Sequence, residues 1–312
     1  MAELYNISDP GLLSNCTLCP HECGVNRLYG ADGYCHTDAG LNISSICIHS
    51  GEEPVISGQS GICNIFFSGC NLRCIYCQNH EISHQGCGNG HSSLTLEDVL
   101  DKVESIMSED ISAVGFVSPS HVVPQVISII CGLRSRGLNP VTVYNTNSYD
   151  KTEIIRSLSG LIDIYLPDLK YVSPEIAARF SDASDYPEIA LKAIKEMYFQ
   201  KGSTLITDDT GIAGNGILLR HLVLPGHTAE SIKVLKTIAE EISTGIHISL
   251  MSQYNPNELV KTHPALNRTL YSSEYELVVK EMERLGFRNG WVQDMESHEN
   301  YQPDFSKENP FE

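Results

Sequence analysis

The sequence predicts an α/β protein built on a parallel sheet, and three observations carry that expectation. From Ile62 onward, apolar runs of strand length alternate with amphipathic stretches of helix length, the pattern of βαβ units. Before Ser60 that rhythm is absent, and Gly, Cys and polar residues surround short apolar pieces such as Ile43–Ile48. With 312 residues, 41% of them hydrophobic, the chain has material for a sizeable core.

Taken in order, the strands are expected at Ile62–Ser68, Ala113–Ser118, Val141–Asn145, Leu161–Leu166, Ile217–Leu224 and Ile246–Met251. Helical patterns lie between them at Thr95–Met107, Val123–Arg136, Lys151–Leu158, Tyr186–Gln200 and Ala229–Ile242. Asp98, three residues after Thr95, gives the first helix a capping-box start. Asp208–Gly216 reads as a glycine-rich loop, not a phosphate loop, because no strand precedes it. Six strands with five helices suit an incomplete α/β barrel or a doubly wound sheet, and either puts its chemistry at the C-terminal strand ends. This divides the chain into a Cys-rich segment (1–60), a barrel (61–255) and a C-terminal part (256–312) with one more helix, Ser273–Leu285, and a polar tail expected to be mobile.

Charge narrows the partners. Lys and Arg number 21 against 39 Asp and Glu, a formal net charge of −18. Nucleic acid and anionic membranes both demand a basic face, so neither is an expected partner. The first basic residue is Arg27, so the start lacks a secretory n-region, and no apolar run approaches the roughly 20 residues that span a bilayer. A cytoplasmic protein is expected.

Eleven cysteines, an odd number without a secretory signal, read as metal ligands before disulfides. Cys70, Cys74 and Cys77 form Cys-x3-Cys-x2-Cys directly after the first expected strand. Three crowded thiolates suit iron–sulfur chemistry better than a closed four-ligand zinc site, and a cubane held by three leaves one iron open for reaction. The bland alternative is a structural zinc that borrows Cys63, Cys87 or His80. Cys47, Cys63, Cys87 and Cys131 otherwise read as small buried or loop residues.

With the aromatic Tyr76 before its last cysteine, this loop resembles the signature of the radical S-adenosylmethionine (radical SAM) superfamily. The chain from Cys16 to about Tyr254 is similar to the pyruvate formate-lyase activating enzyme-like subgroup. The resemblance implies a partial (βα)6 barrel, a TIM-like radical SAM fold, with a [4Fe–4S] cluster on Cys70, Cys74 and Cys77. It implies S-adenosylmethionine (SAM) on the open iron, cleaved by one electron to methionine and a 5′-deoxyadenosyl radical. Asp168 and Lys170, in Tyr165-Leu-Pro-Asp-Leu-Lys-Tyr, match an Asp-x-Lys motif, and their spacing puts both on one face of a strand end. Asn145, in Val143-Tyr-Asn-Thr-Asn-Ser, stands where the family carries an acidic cation ligand, so any cation site is weakened or absent. Arg220, in Arg220-His-Leu-Val-Leu-Pro-Gly, resembles an arginine facing SAM, while His221 points the other way and reads as packed. The Gly-Gly-Glu of many members is replaced by Val117-Ser-Pro-Ser-His-Val. Ser118, Ser120 and His121 are the candidate substitutes, with His121 open to three roles: SAM contact, substrate acid or base, or helix-start packing.

Cys16, Cys19, Cys23 and Cys35 form a second set, Cys-x2-Cys-x3-Cys-x11-Cys, with glycines for tight turns. It reads as a structural zinc or rubredoxin-like site stapling the N-terminal segment to the barrel. A second iron–sulfur site relaying electrons is the alternative. The resemblance further implies a low-potential donor, flavodoxin or ferredoxin, an anaerobic setting, and a glycyl-radical enzyme as the partner to be activated. A small molecule or peptide as substrate, or a non-catalytic iron–sulfur or zinc protein, are the competing functions.

Overall fold

A computed structural model describes residues 11–30, 33–84, 94–299 and 302–311. Cys87, considered above as a borrowed ligand, lies outside the described residues.

All six expected strands form. They are β2 (Ile62–Phe67), β3 (Ala113–Val117), β4 (Val141–Thr146), β5 (Ile164–Pro167), β7 (Ala213–Leu222) and β8 (His247–Met251). Neighbours are parallel throughout, in the order β2-β3-β4-β5-β7-β8. Three further strands were not foreseen. β1 (Ile43–His49) runs antiparallel along β2, its apolar alternation broken by a register shift between Ile43 and Ser45. β9 (Gly290–Val292) adds in parallel to β8 but has only 3 residues, too few for a pattern. β6 (Ile206–Thr207) pairs antiparallel with the start of β7. The stretch Asp208–Gly216 is therefore a hairpin and the beginning of a strand, not an open loop. Its turn closes because Asp208 accepts the amide hydrogens of Thr210 (2.8 Å) and Ile212 (3.0 Å).

The two faces of the sheet differ. Cys63, Ile65, Val114, Phe116, Tyr144, Tyr165, Leu219 and Ile248 pack outward on helices that contribute Val99, Val126, Ile194 and Leu235. Those helices include Leu96–Met107, which starts on the foreseen capping box of Thr95 and Asp98. The alternate strand positions point the other way. Ile62, Ala113, Val143, Ile164, Leu166 and Leu218, joined by Trp291 of β9, form a separate apolar cluster. One cluster drawing on strands from β2 to β9 marks the concave interior of a partial barrel. Its floor is plugged by Val55 and Ile56 of the short helix Pro54–Ser57.

Residues 302–311 are folded onto the barrel, contrary to the mobile tail expected. Phe305 and Phe311 rest against Cys47, Phe66, Ile82 and Val117. Two phenylalanines in an otherwise polar stretch are enough to anchor it. No helix among the described residues is long and apolar enough to cross a membrane.

Candidate active site

The cysteine loop leaves the C-terminal end of β2 at Gly69, whose φ of 76° is a left-handed value that favours glycine. Its amide hydrogen bonds the carbonyl of Ile82 (2.8 Å), which ties the loop's two ends together. Cys70 is buried, and Cys74 and Cys77 are half-buried. Polar groups gather on each sulfur. Cys70 Sγ receives the Leu72 amide (3.4 Å) and Asn147 Nδ2 (3.5 Å). Cys77 Sγ receives Ser83 Oγ (3.4 Å), and Cys74 Sγ lies 3.0 Å from Ser181 Oγ.

Burial pushes the Cys70 thiol up to about 12 and the Cys74 thiol to about 11, with neighbouring cysteines adding to the effect. The charge of Lys170 works in the opposite direction on all three sulfurs. Burial of this kind disfavours free thiolates, a bound metal would stabilise them, and donors aimed at sulfur suit ligands of a cluster. Among the described residues no three His, Cys, Asp or Glu side chains meet as ligands of one metal ion. A cubane places its three sulfurs on three separate irons, so the donor set fits a [4Fe–4S] cluster.

Beside the cysteines, inward side chains of the barrel join into one ionic network. Lys170 Nζ lies 2.7 Å from Asp168 Oδ2, and Arg220 Nε lies 3.1 Å from Asp168 Oδ1. Arg220 also donates to Asn145 Oδ1 (2.6 Å) and Glu52 Oε2 (3.2 Å). Glu52 Oε1 accepts from Asn145 (3.2 Å) and from Asn64 (3.0 Å). Burial raises the Asp168 carboxyl, but Lys170 and Arg220 outweigh it and hold Asp168 below the usual carboxylate range. By the same contest Lys170 and Arg220 lie above their ordinary values despite burial. Adjacent Glu53 is raised by burial.

The structure therefore brings Asp168, Lys170, Arg220 and Asn145 together with the cysteines. It places Asn145 as a ligand of Arg220, which occupies the amide oxygen a cation would need. Glu52, Glu53 and Asn64 were missed. Nothing local in Ser50-Gly-Glu-Glu-Pro announces them, because β1 delivers Glu52 from a region that reads as loop. One signal was legible: Gly115 inside β3, where a side chain would collide with the Asn64 amide.

Other residues expected at the site are engaged within the fold. His121 is fully buried, with Nε2 3.0 Å from the Ser68 carbonyl, so it packs the helix start against the cysteine loop. That corrects its assignment as a SAM contact. Ser120 is buried on Thr146 Oγ1 (3.1 Å). Ser118 ends β3 in a left-handed conformation (φ 50°), its amide on the Asn145 carbonyl (2.8 Å), and is half-buried. Tyr76 is buried, and its hydroxyl accepts a hydrogen bond from Tyr171. His221 packs as expected, with Nδ1 2.7 Å from the Leu169 carbonyl.

In the N-terminal segment Cys16, Cys19 and Cys35 are buried and Cys23 is exposed. Burial pushes Cys19 up to about 12, and the charges of Cys35, Cys16 and Cys23 raise it further, so the four are neighbours. They do not converge as ligands of a single ion. Arg27, 1% exposed, joins this segment to the barrel. It donates to the His121 carbonyl (2.7 Å), Asp38 carbonyl (2.8 Å) and Thr37 Oγ1 (2.9 Å), with Cys16 Sγ at 4.0 Å. The segment also lies directly on the cysteine loop. His21 Nε2 is 2.9 Å from the Asn71 carbonyl, and Arg73 donates to the Tyr34 carbonyl.

A parallel partial barrel with a Cys-x3-Cys-x2-Cys loop at the end of its first parallel strand defines a class. The radical SAM superfamily model matches residues 64–238, and the chain belongs to that superfamily. Membership indicates an enzyme and implies a [4Fe–4S] cluster and SAM. An uncharacterized protein of Methanocaldococcus jannaschii is 28% identical over 277 residues, covering 88% of this chain and 75% of that one. Among solved structures, Streptococcus suis SuiB bound to S-adenosylmethionine gives 14% identity and a TM-score of 0.48, over 72% of this chain and 48% of that one. The FeFe-hydrogenase maturase HydG of Carboxydothermus hydrogenoformans gives 15% and 0.49, over 72% and 50%. A domain of a pyruvate-formate lyase-activating enzyme from Bacteroides vulgatus gives 13% and 0.39, over 55% and 93%. The chain spans about half the length of SuiB and HydG.

Proposed function

We propose that this chain binds SAM beside a cluster held by Cys70, Cys74 and Cys77, and that it activates a glycyl-radical enzyme by taking hydrogen from a backbone glycine. The observation that carries the first half is that three thiols, one buried and two half-buried, stand next to the Lys170–Asp168–Arg220 chain at one end of the barrel. When bound, the reduced cluster supplies the electron that cleaves the SAM sulfonium to methionine and a 5′-deoxyadenosyl radical. The protein's part is to hold and orient. Lys170 offers its ammonium to the SAM carboxylate and Asp168 fixes that ammonium in place. Arg220, clamped by Asp168, Glu52 and Asn145, presents a fixed planar cation on the inner wall. Tyr76 of the cysteine loop packs against buried Tyr171 and Tyr254, and these rings back the loop.

The glycyl-radical half rests on the resemblance of Tyr165–Tyr171, Val143–Ser148 and Arg220–Gly226 to the activating enzymes. A second reading, a radical SAM enzyme acting on a small molecule or peptide, is favoured by the N-terminal four-cysteine segment, which minimal activating enzymes lack. A flavodoxin or ferredoxin would supply electrons to either. Reduced, reconstituted protein should convert SAM to 5′-deoxyadenosine and methionine, and Cys74→Ala should abolish this. Unchanged turnover in that variant refutes the cluster assignment. Incubation with a candidate glycyl-radical enzyme should give a glycyl EPR doublet. Label passing from a deuterated small molecule to 5′-deoxyadenosine, with no doublet, selects the second reading.

A further inference from the structure

The C-terminal segment stands at the open edge of the barrel. The rings of Phe305 and Phe311 lie 5.5 and 5.6 Å from Phe66, and Phe311 lies 4.1 Å from the His49 ring. Phe66 shares the inward face of β2 with Asn64, and Val117 shares that of β3 with Gly115. His49 feels the charges of Glu52 and Arg220. The two phenylalanines are thus seated at the sheet edge on the side that carries the ionic network, with Phe311 also bordering Lys102 and Ile106 of the helix Leu96–Met107.

The segment's backbone closes on itself through the Asp304 amide and Pro310 carbonyl (2.8 Å), and through the Lys307 amide and Asp304 carbonyl (3.1 Å). Toward the barrel it gives a long hydrogen bond from the Phe305 amide to Glu81 (3.4 Å). Both phenylalanines are half-buried, and a solvent-open groove of about 510 Å³ runs past Phe311 between Ile46, Ile48, Lys102 and Ile106. A short terminal loop seated by two half-buried aromatic rings has the form of an occupant that can leave its seat.

We propose that Cys47, Phe66, Ile82, Val117 and His49 form a docking seat for an aromatic-bearing polypeptide segment, and that residues 302–311 fill it in cis. The seat's present occupant defines the chemistry it accepts: two phenylalanine rings six positions apart on one peptide loop. A polypeptide reaching the Glu52–Arg220 network by this edge displaces the chain's own segment. This goes beyond the choice of hydrogen donor and holds whether or not that donor is a glycine.

Cys47, 5% exposed and against the seat, reports on occupancy. In the anaerobic, reconstituted protein, maleimide labelling of Cys47 is followed by peptide mass mapping. Three proteins are compared: the intact chain, a chain ending at residue 301, and the full-length double variant Phe305→Ala, Phe311→Ala. Both altered proteins should label Cys47 at least tenfold faster while keeping the intact near-ultraviolet circular dichroism. A synthetic peptide of residues 302–312 should restore protection to the truncated chain, and the same peptide with both phenylalanines changed to alanine should not. Equal labelling in all three proteins overturns the proposal. So does loss of the tertiary signal in both altered proteins, which would make the segment part of the core. Failure of the synthetic peptide to protect overturns the peptide seat. Protection of the intact chain that fades on dilution overturns the cis arrangement in favour of a second copy. None of these readouts depends on SAM cleavage.

Discussion

Gly69→Ala tests how closely the N-terminal segment and the cysteine loop are fitted. At φ 76° an alanine pays the left-handed penalty, about 1–2 kcal/mol. A Cβ there would also overlap the Cys35 carbonyl oxygen and come to 2.8 Å from Thr37 Cγ2. A backbone carbonyl cannot rotate away as a side chain does, so the loop and the Cys35 segment must separate. Gly137 is the control, with φ 80° and nothing within 4 Å of its Cβ. Gly137→Ala should therefore cost about 1 kcal/mol and Gly69→Ala about 3–4 kcal/mol. Urea unfolding can be followed by the fluorescence of Trp291, the single tryptophan, which sits in the concave cluster. Iron per chain after reconstitution should fall in Gly69→Ala alone, because Cys70 is the next residue. A Gly69→Ala protein within about 0.5 kcal/mol of the Gly137→Ala control, carrying normal iron, would refute the packing of these two segments.

Asp168→Asn leaves Arg220 and Lys170 without their shared carboxylate in a site where the Asp168 side chain is 16% exposed. It should cost roughly 3 kcal/mol in urea unfolding and weaken SAM binding, and wild-type stability would contradict the network. Burial lowers His121 and His221 to about 4 from an ordinary 6.5, so the fold holds them neutral. Their contribution is complete above pH 6.5 and is lost as pH falls toward 4, on the order of 3 kcal/mol each. A stability flat from pH 7 to pH 4.5 would refute this, and His221→Asn should flatten part of the slope. The N-terminal cysteines are neighbours that must draw closer to hold one ion, and on that closure metal analysis of anaerobically purified protein should find about four irons with stoichiometric zinc, the zinc vanishing in Cys19→Ser. Excess iron without zinc would instead make the segment a redox site.

Much of the architecture and half of the site could be read along the chain because both depend on local spacing. Strand-length and helix-length runs of apolar residues specify a βαβ alternation wherever they occur. Three cysteines within one loop, or Asp168 and Lys170 two residues apart on one strand end, are brought together by backbone geometry alone. Glu52 is different. It meets Arg220 and Asn145 only because β1 pairs antiparallel with β2 and carries the connection into the barrel. His121 was equally open to three roles until the Ser68 carbonyl and the wall of buried side chains around it fixed its burial. Phe305 and Phe311 read as part of a polar end, yet they find an apolar seat on strands more than 180 residues earlier.

Residue order along the chain is enough to specify the parallel α/β core, the thiol loop after its first repeat and the charged pair that faces it. Each of these is a periodicity or a short spacing that any backbone of those residues must express. Tertiary structure alone decided which carboxylates clamp Arg220, that the N-terminal cysteine segment rests on the cysteine loop, and that the C-terminal phenylalanines close the barrel's edge. Those are contacts between distant segments, and they are set by where curvature, burial and pairing leave a partner of matching charge or shape.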